Sequence, residues 1–134
     1  MYIANKKPPN WAEINRRMNV RRDSVYMYGD TLFNPSGGEI PDDVIVHERV
    51  HERQQEGQDP KIWWIKYLNN KDFRLRMEVE AFGQQYNWVF NQVDKETADL
   101  CLKDLSTTLY KNYKLDITQE RCYNLIKQYE RKHM

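Results

Sequence analysis

Apolar residues recur along this chain in two rhythms, a short β-like one near the front and a helical one over most of the remaining length. Val25-Tyr26-Met27-Tyr28 and Thr31-Leu32-Phe33 are β-prone runs joined by Gly29-Asp30, and a glycine-led two-residue connection predicts a tight hairpin. Either strand could offer an open edge along which an extended peptide lies. Tyr26 and Tyr28 share one strand face and either line such a cleft or join the core. Asn34-Pro35-Ser36-Gly37-Gly38 then reads as a loop.

Ile40-Pro41-Asp42-Asp43 has the proline and acidic residues of a helix start, and the helix it opens carries Val44, Ile45 and Val46 on to about Gly57. Asp59-Pro60 opens a short helix whose Trp63 and Trp64 read as packing residues. Asn69 to Asp72 breaks it, and a long helix is expected from about Phe73 to Val93. On that helix Arg74 and Arg76 read as part of a solvated face. Two further amphipathic helices come next, one lined by Ala98, Leu100, Cys101, Leu105 and Leu109, the other by Cys122, Leu125, Ile126 and Tyr129. Between them Asp116 is placed to cap the second. Residues 1–23, with Pro8-Pro9 and the basic cluster Arg16-Arg17 and Arg21-Arg22, are expected to form a solvated arm or short helix. The pattern as a whole predicts one α+β domain over 1–134, mainly helical, with a small hairpin or sheet ahead of the helices.

Composition narrows the classes. A chain of 134 residues can bury a real core, and 31% charged with 40% apolar residues is a soluble globular balance. A formal net charge of +1 supplies no basic field for nucleic acid. No apolar run approaches membrane-spanning length, and the first residues lack the apolar stretch of a signal peptide. The expected location is therefore the cytosol of the cell that makes the chain. Cys101 and Cys122, far apart and outside any C-x-x-C spacing, read as reduced core residues. Oligomeric state is not legible in this pattern.

The chemistry is concentrated in His47-Glu48-Arg49-Val50-His51. On a helix, histidines four apart lie one turn apart on one face and can hold a single zinc ion, with Glu48 beside them to take a proton from a bound water. The bland alternative is a charged surface helix with two incidental histidines. A catalytic zinc site usually takes three protein ligands and a water. The metzincin third histidine is absent, since Gln54 and Gly57 stand at the patterned positions, and His133 is too peripheral. Glu78 and Glu80, in an apolar helix beside Ala81, are the candidates; they point roughly 160° apart, so only one can face a metal. Glu78 also has Arg74 at i−4 as a bland surface partner.

The order hairpin, H-E-x-x-H helix, then a helix bearing Glu-x-x-Ala resembles the gluzincin branch of the zincin metallopeptidases over about residues 25–86. The run His-Glu-x-x-His-x-x-Gln-Gln, Trp-Trp, Glu-x-Glu-Ala is more narrowly similar to short zincin-like proteins of phages and bacteria. The resemblance implies a zincin-like fold, zinc held by His47, His51 and Glu78, and Glu48 as general base in hydrolysis of a protein or peptide. It also implies a substrate laid along an edge strand. Phe82 stands where larger gluzincins carry an acidic residue, and Asp43 and Gln55 are possible replacements for its supporting role. Tyr86, two turns after Glu78, is the expected oxyanion donor. Two other classes stay open: a zinc-containing, non-catalytic protein-binding module, and a peptidoglycan-directed peptidase or amidase.

Overall fold

A computed structural model describes residues 1–133. Among these, three strands and six helices run in the order β1 (Tyr2–Ala4), α1 (Trp11–Arg17), β2 (Tyr26–Tyr28), β3 (Thr31–Phe33), α2 (Asp42–Gln55), α3 (Pro60–Asn69), α4 (Lys71–Phe90), α5 (Lys95–Asn112) and α6 (Gln119–Lys127). The chain is thus α+β and mainly helical, as its pattern predicts. No helix among the described residues is long and apolar enough to cross a membrane.

β2 and β3 form the expected hairpin, closing on Tyr28 and Thr31. Gly29 takes a positive φ of 64° and Asp30 does not, the pattern of a II′ turn that suits strand twist. β1 adds a parallel strand on the far side of β3, giving the order β1-β3-β2. Residues 1–23 are therefore an arm only in part: the short helix α1 is there, with Ile14 buried, but the strand β1 is not signalled by the pattern. The added strand also makes β3 central, so it has no open edge. β2 is an edge strand, yet the Met27 carbonyl accepts from both Gln55 Nε2 (2.9 Å) and Trp64 Nε1 (3.0 Å), which closes that position to an added strand.

The helices start where side chains can take up orphan backbone donors. Asp59 accepts from the Lys61 amide, Asn70 from Phe73 and Asp94 from Thr97. The break between α3 and α4 is the single residue Asn70, so α4 starts two residues earlier than its pattern suggests. α6 is capped by Thr118 rather than by Asp116, whose carboxylate instead meets Lys71 Nζ at 2.8 Å. Arg74 is buried, contrary to a solvated face. Its guanidinium donates to the carbonyls of Tyr67 (2.7 Å), Tyr113 (2.8 Å) and Lys114 (3.1 Å), tying α4 to the end of α3 and to the α5–α6 turn.

Two apolar clusters result. One joins α4, α5 and α6 through Phe82, Tyr86, Leu102, Leu109, Cys122 and Ile126; on α5 the expected Ala98, Leu105 and Leu109 face inward together with Leu102, while Leu100 faces solvent. The other joins α1 and α3 through Ile14, Trp63, Trp64, Tyr67 and Leu68. Between them α2 packs along α4, and that seam is polar.

Candidate metal centre

The i, i+4 spacing sets His47 and His51 on the inner face of α2, both buried, with their Nε2 atoms 3.2 Å apart. Glu78 on α4 faces them at 2% exposure. Its Oε1 lies 3.2 Å from His47 Nε2 and its Oε2 lies 3.2 Å from His51 Nε2. Tetrahedral zinc with ligands at ~2.0–2.1 Å has ligand–ligand edges of ~3.3–3.4 Å; the two nitrogens stand near that spacing, and each carboxylate oxygen stands near it from one of them. Glu78 Oε1 is fully enclosed and has no hydrogen-bond partner among the described residues, a costly state that a cation would relieve. Glu80 is exposed and bonded to Gln54, so it is not in the triad.

Each imidazole is oriented from behind. His47 Nδ1 donates to Gln85 Oε1 at 2.9 Å, and Gln85 Nε2 donates to Asp43 Oδ2 at 2.8 Å. His51 Nδ1 donates to Gln54 Oε1 at 2.8 Å, and Gln54 Nε2 donates to Glu80 Oε1 (2.9 Å) and the Met77 carbonyl (3.1 Å). A carboxylate only accepts, so it forces each amide to present oxygen to its histidine. That keeps a proton on Nδ1 and turns Nε2, the nitrogen available to a metal, toward the triad. Sequence reasoning finds Asp43 as a supporting carboxylate but misses Gln85 and the role of Gln54. Gln55 supports the hairpin instead, accepting from the Gly29 amide at 2.7 Å.

Tyr67 on α3 is a further residue that the sequence does not reveal. Its hydroxyl donates to Glu78 Oε2 at 2.5 Å, and its ring stacks on Trp63, which in turn meets the edge of His51. Phe82 closes the other side, edge-on to His47. Tyr86 is not at this site. Its hydroxyl donates to Glu130 at 2.5 Å within the α4–α6 cluster. At 100° per residue, Tyr86 lies about 80° round the helix from Glu78, whereas Gln85 lies about 20° from it.

The charges reinforce one another. Burial works to raise the Glu78 carboxyl, but the facing histidines outweigh it and hold it well below its usual range. Burial opposes charge on His51, yet Glu78 raises that imidazole to about 9 in the absence of metal. Glu48 is buried beside them, Oε2 3.7 Å from His47 Nε2, and burial pushes its carboxyl up while the histidines pull it back.

The triad and Glu48 form the floor of a cavity of about 310 Å³. Met18, Val20, Met27, Val44, Phe82 and Leu105 give it a mainly apolar wall. Tyr26, Tyr67 and Tyr113 bring hydroxyl-bearing rings to the same space, and burial raises all three phenols, keeping them protonated. The arrangement can hold a divalent cation by two nitrogens and a carboxylate, with a base alongside and room for a substrate group. Comparison with protein-family models, curated proteins and solved structures finds no match to this chain.

Proposed function

We propose that this chain is a zinc-dependent metallopeptidase of the gluzincin type. The observation that carries the reading is the closed triad of His47, His51 and Glu78 with Glu48 beside it on the floor of a cavity. Two imidazoles and one carboxylate are a zinc donor set that leaves a position for chemistry. Bound zinc supplies Lewis-acid polarisation of a carbonyl and acidifies water. Glu48, made more basic by burial, accepts the proton and returns it to the leaving amine. Tyr113 lines the cavity, and the charges of Glu78 and Glu48 raise its phenol further. It replaces Tyr86 as the donor to a developing oxyanion. The apolar wall suits one apolar side chain of a peptide. Glu48 favours hydrolysis over a non-catalytic zinc module, because a structural site needs no base.

Elemental analysis of protein purified without an affinity tag or added zinc is the first test, with about one zinc per chain expected for a three-ligand site. Glu48→Gln should then keep the metal and lose peptide hydrolysis by about 10²–10⁴-fold. A Glu48→Gln protein as active as the wild type would refute the reading.

A further inference from the structure

A second hollow, of about 390 Å³, adjoins the first and shares with it Val20, Arg21, Ser24 and Tyr26. Its remaining lining comes from Lys7, Trp11, Arg22, Pro35 and Ser36. Three cations line it and no acid does. The basic cluster of the sequence is divided by the fold. Arg16 and Arg17 pair with Glu13 along α1, whereas Lys7 and Arg22 have no ion-pair partner among the described residues. Arg21 approaches only Asp23, at 3.9 Å with both exposed, a weak contact. Lys7 is held at the rim by its ammonium lying 5.2 Å over the Trp11 ring. In the wall common to both hollows, the Tyr26 hydroxyl is enclosed, with the Ser24 side chain beside it and no hydrogen bond of full geometry among the described residues. Such a group calls for a polar partner that a ligand would bring.

We infer that the second hollow is a substrate subsite for a carboxylate, which Arg22, Arg21 and Lys7 receive while the neighbouring apolar side chain occupies the cavity above His47 and His51. The assignment rests on the peptidase reading and deepens it by naming the substrate class. An arginine fork matches carboxylate geometry, and a hydroxyl donor beside it completes the shell. The carboxylate belongs either to an Asp or Glu side chain or to the C-terminus of the peptide, and the two sources are separable.

The test is digestion of a random peptide library by the zinc-loaded wild-type protein, with products sequenced by mass spectrometry. The library is run once with free C-termini and once with amidated ones. Acidic residues enriched at one fixed offset from the cleaved bond, in both libraries, would identify the side chain. Enrichment of cleavage at one fixed distance from the end, lost on amidation, would identify the terminal carboxylate. In either case Arg22→Gln should reduce the preference by about tenfold, the scale of one charge-assisted hydrogen bond, and Arg22→Lys should restore part of it. The zinc content of both variants shows that the centre has survived the change. Cleavage indifferent to acidic groups would overturn the subsite and leave the peptidase reading standing. A library left uncut would overturn both.

Discussion

Gln85 touches none of the candidate ligand atoms, yet on the zinc reading the affinity for metal should depend on it. Its side chain is buried, its oxygen accepts from His47 Nδ1, and its nitrogen is committed to Asp43. Gln85→Leu keeps the approximate volume and removes both contacts. His47 must then either bury an unpaired Nδ1–H or move its proton to Nε2, where it blocks the metal. Leaving a buried donor unpaired costs about 1–3 kcal/mol. Loss of an outer-shell partner typically lowers metal affinity by about 10–100-fold, or roughly 1.4–2.8 kcal/mol, which agrees. Competition for zinc against a chelator of known affinity at fixed pH reads this directly, and urea unfolding shows that the fold survives. Asp43→Asn should have a smaller effect, a few-fold, because an amide there no longer dictates which way Gln85 faces. Zinc affinity within about twofold of wild type in a folded Gln85→Leu protein would refute the orienting role, since even about 1 kcal/mol corresponds to more than that.

Glu78→Ala should weaken zinc binding far more than Glu80→Ala, whose effect passes only through Gln54; the reverse ranking in the same chelator assay would displace Glu78 from the triad. Gly83→Ala should destabilise the chain by about 1–3 kcal/mol, although alanine in a helix normally gains about 0.5–1 kcal/mol over glycine. The reason is that a Cβ there would overlap the Tyr129 ring, and a raised urea midpoint would contradict this contact. The metal-free protein should show an opposed pH dependence from its two coupled groups. His51, raised to about 9, contributes stability that is complete below its unfolded value near 6.5 and lost as pH climbs through 9. Glu78, depressed, contributes stability that is present above its unfolded value and lost as pH falls toward its lower folded one. Thermal unfolding of the metal-free form across about pH 4 to 10 checks this, with maximum stability expected between the two unfolded values. Zinc has to expel the His51 proton, so its affinity should rise about tenfold per pH unit up to about 9, and a flat profile would show that His51 is not protonated in the metal-free state.

Much of the fold was legible because its signals are local. The glycine-led turn at 29, the Asp59-Pro60 start and the i, i+4 histidines each convert spacing directly into geometry within one or two turns of chain. What failed depended on partners remote in sequence. β1 is three residues with two of them exposed, too short to show an alternating pattern, and it forms only because β3 lies beside it. Arg74 reads as a surface charge until the α5–α6 turn supplies carbonyls from 39 and 40 residues away. Spacing alone leaves Glu78 and Glu80 equal, and only the resemblance favours Glu78. Gln85 was within reach: seven residues after Glu78 is two full turns on the same face, and a polar residue there, flanked by Phe82 and Tyr86, marks a buried polar position. Tyr86, one residue further on, lies about 80° off that face. Tyr67 carried no comparable signal, since only the packing of α3 against α4 shows that its hydroxyl ends on Glu78.

The seam between α2 and α4 ties the candidate metal centre to the fold. An interface of two central helices normally carries apolar residues, but here Val50 and Ala81 share the buried positions with His47, Glu48, His51, Glu78 and Gln85. The apolar clusters lie on either side of this seam rather than within it. Glu78 is the junction: it sits on α4, faces both histidines of α2 and accepts from Tyr67 of α3. Without a cation its Oε1 is an orphan, and two imidazoles crowd the same space. A cation bound there would add a link among three helices, so its binding free energy would also be free energy of helix packing. The same polar seam makes substitution by well-packed apolar residues an available route to a stable protein. Helix packing alone does not require Glu48 beside the two histidines, and on the proposed reading it is this carboxylate that would separate a site for hydrolysis from one that only holds helices together.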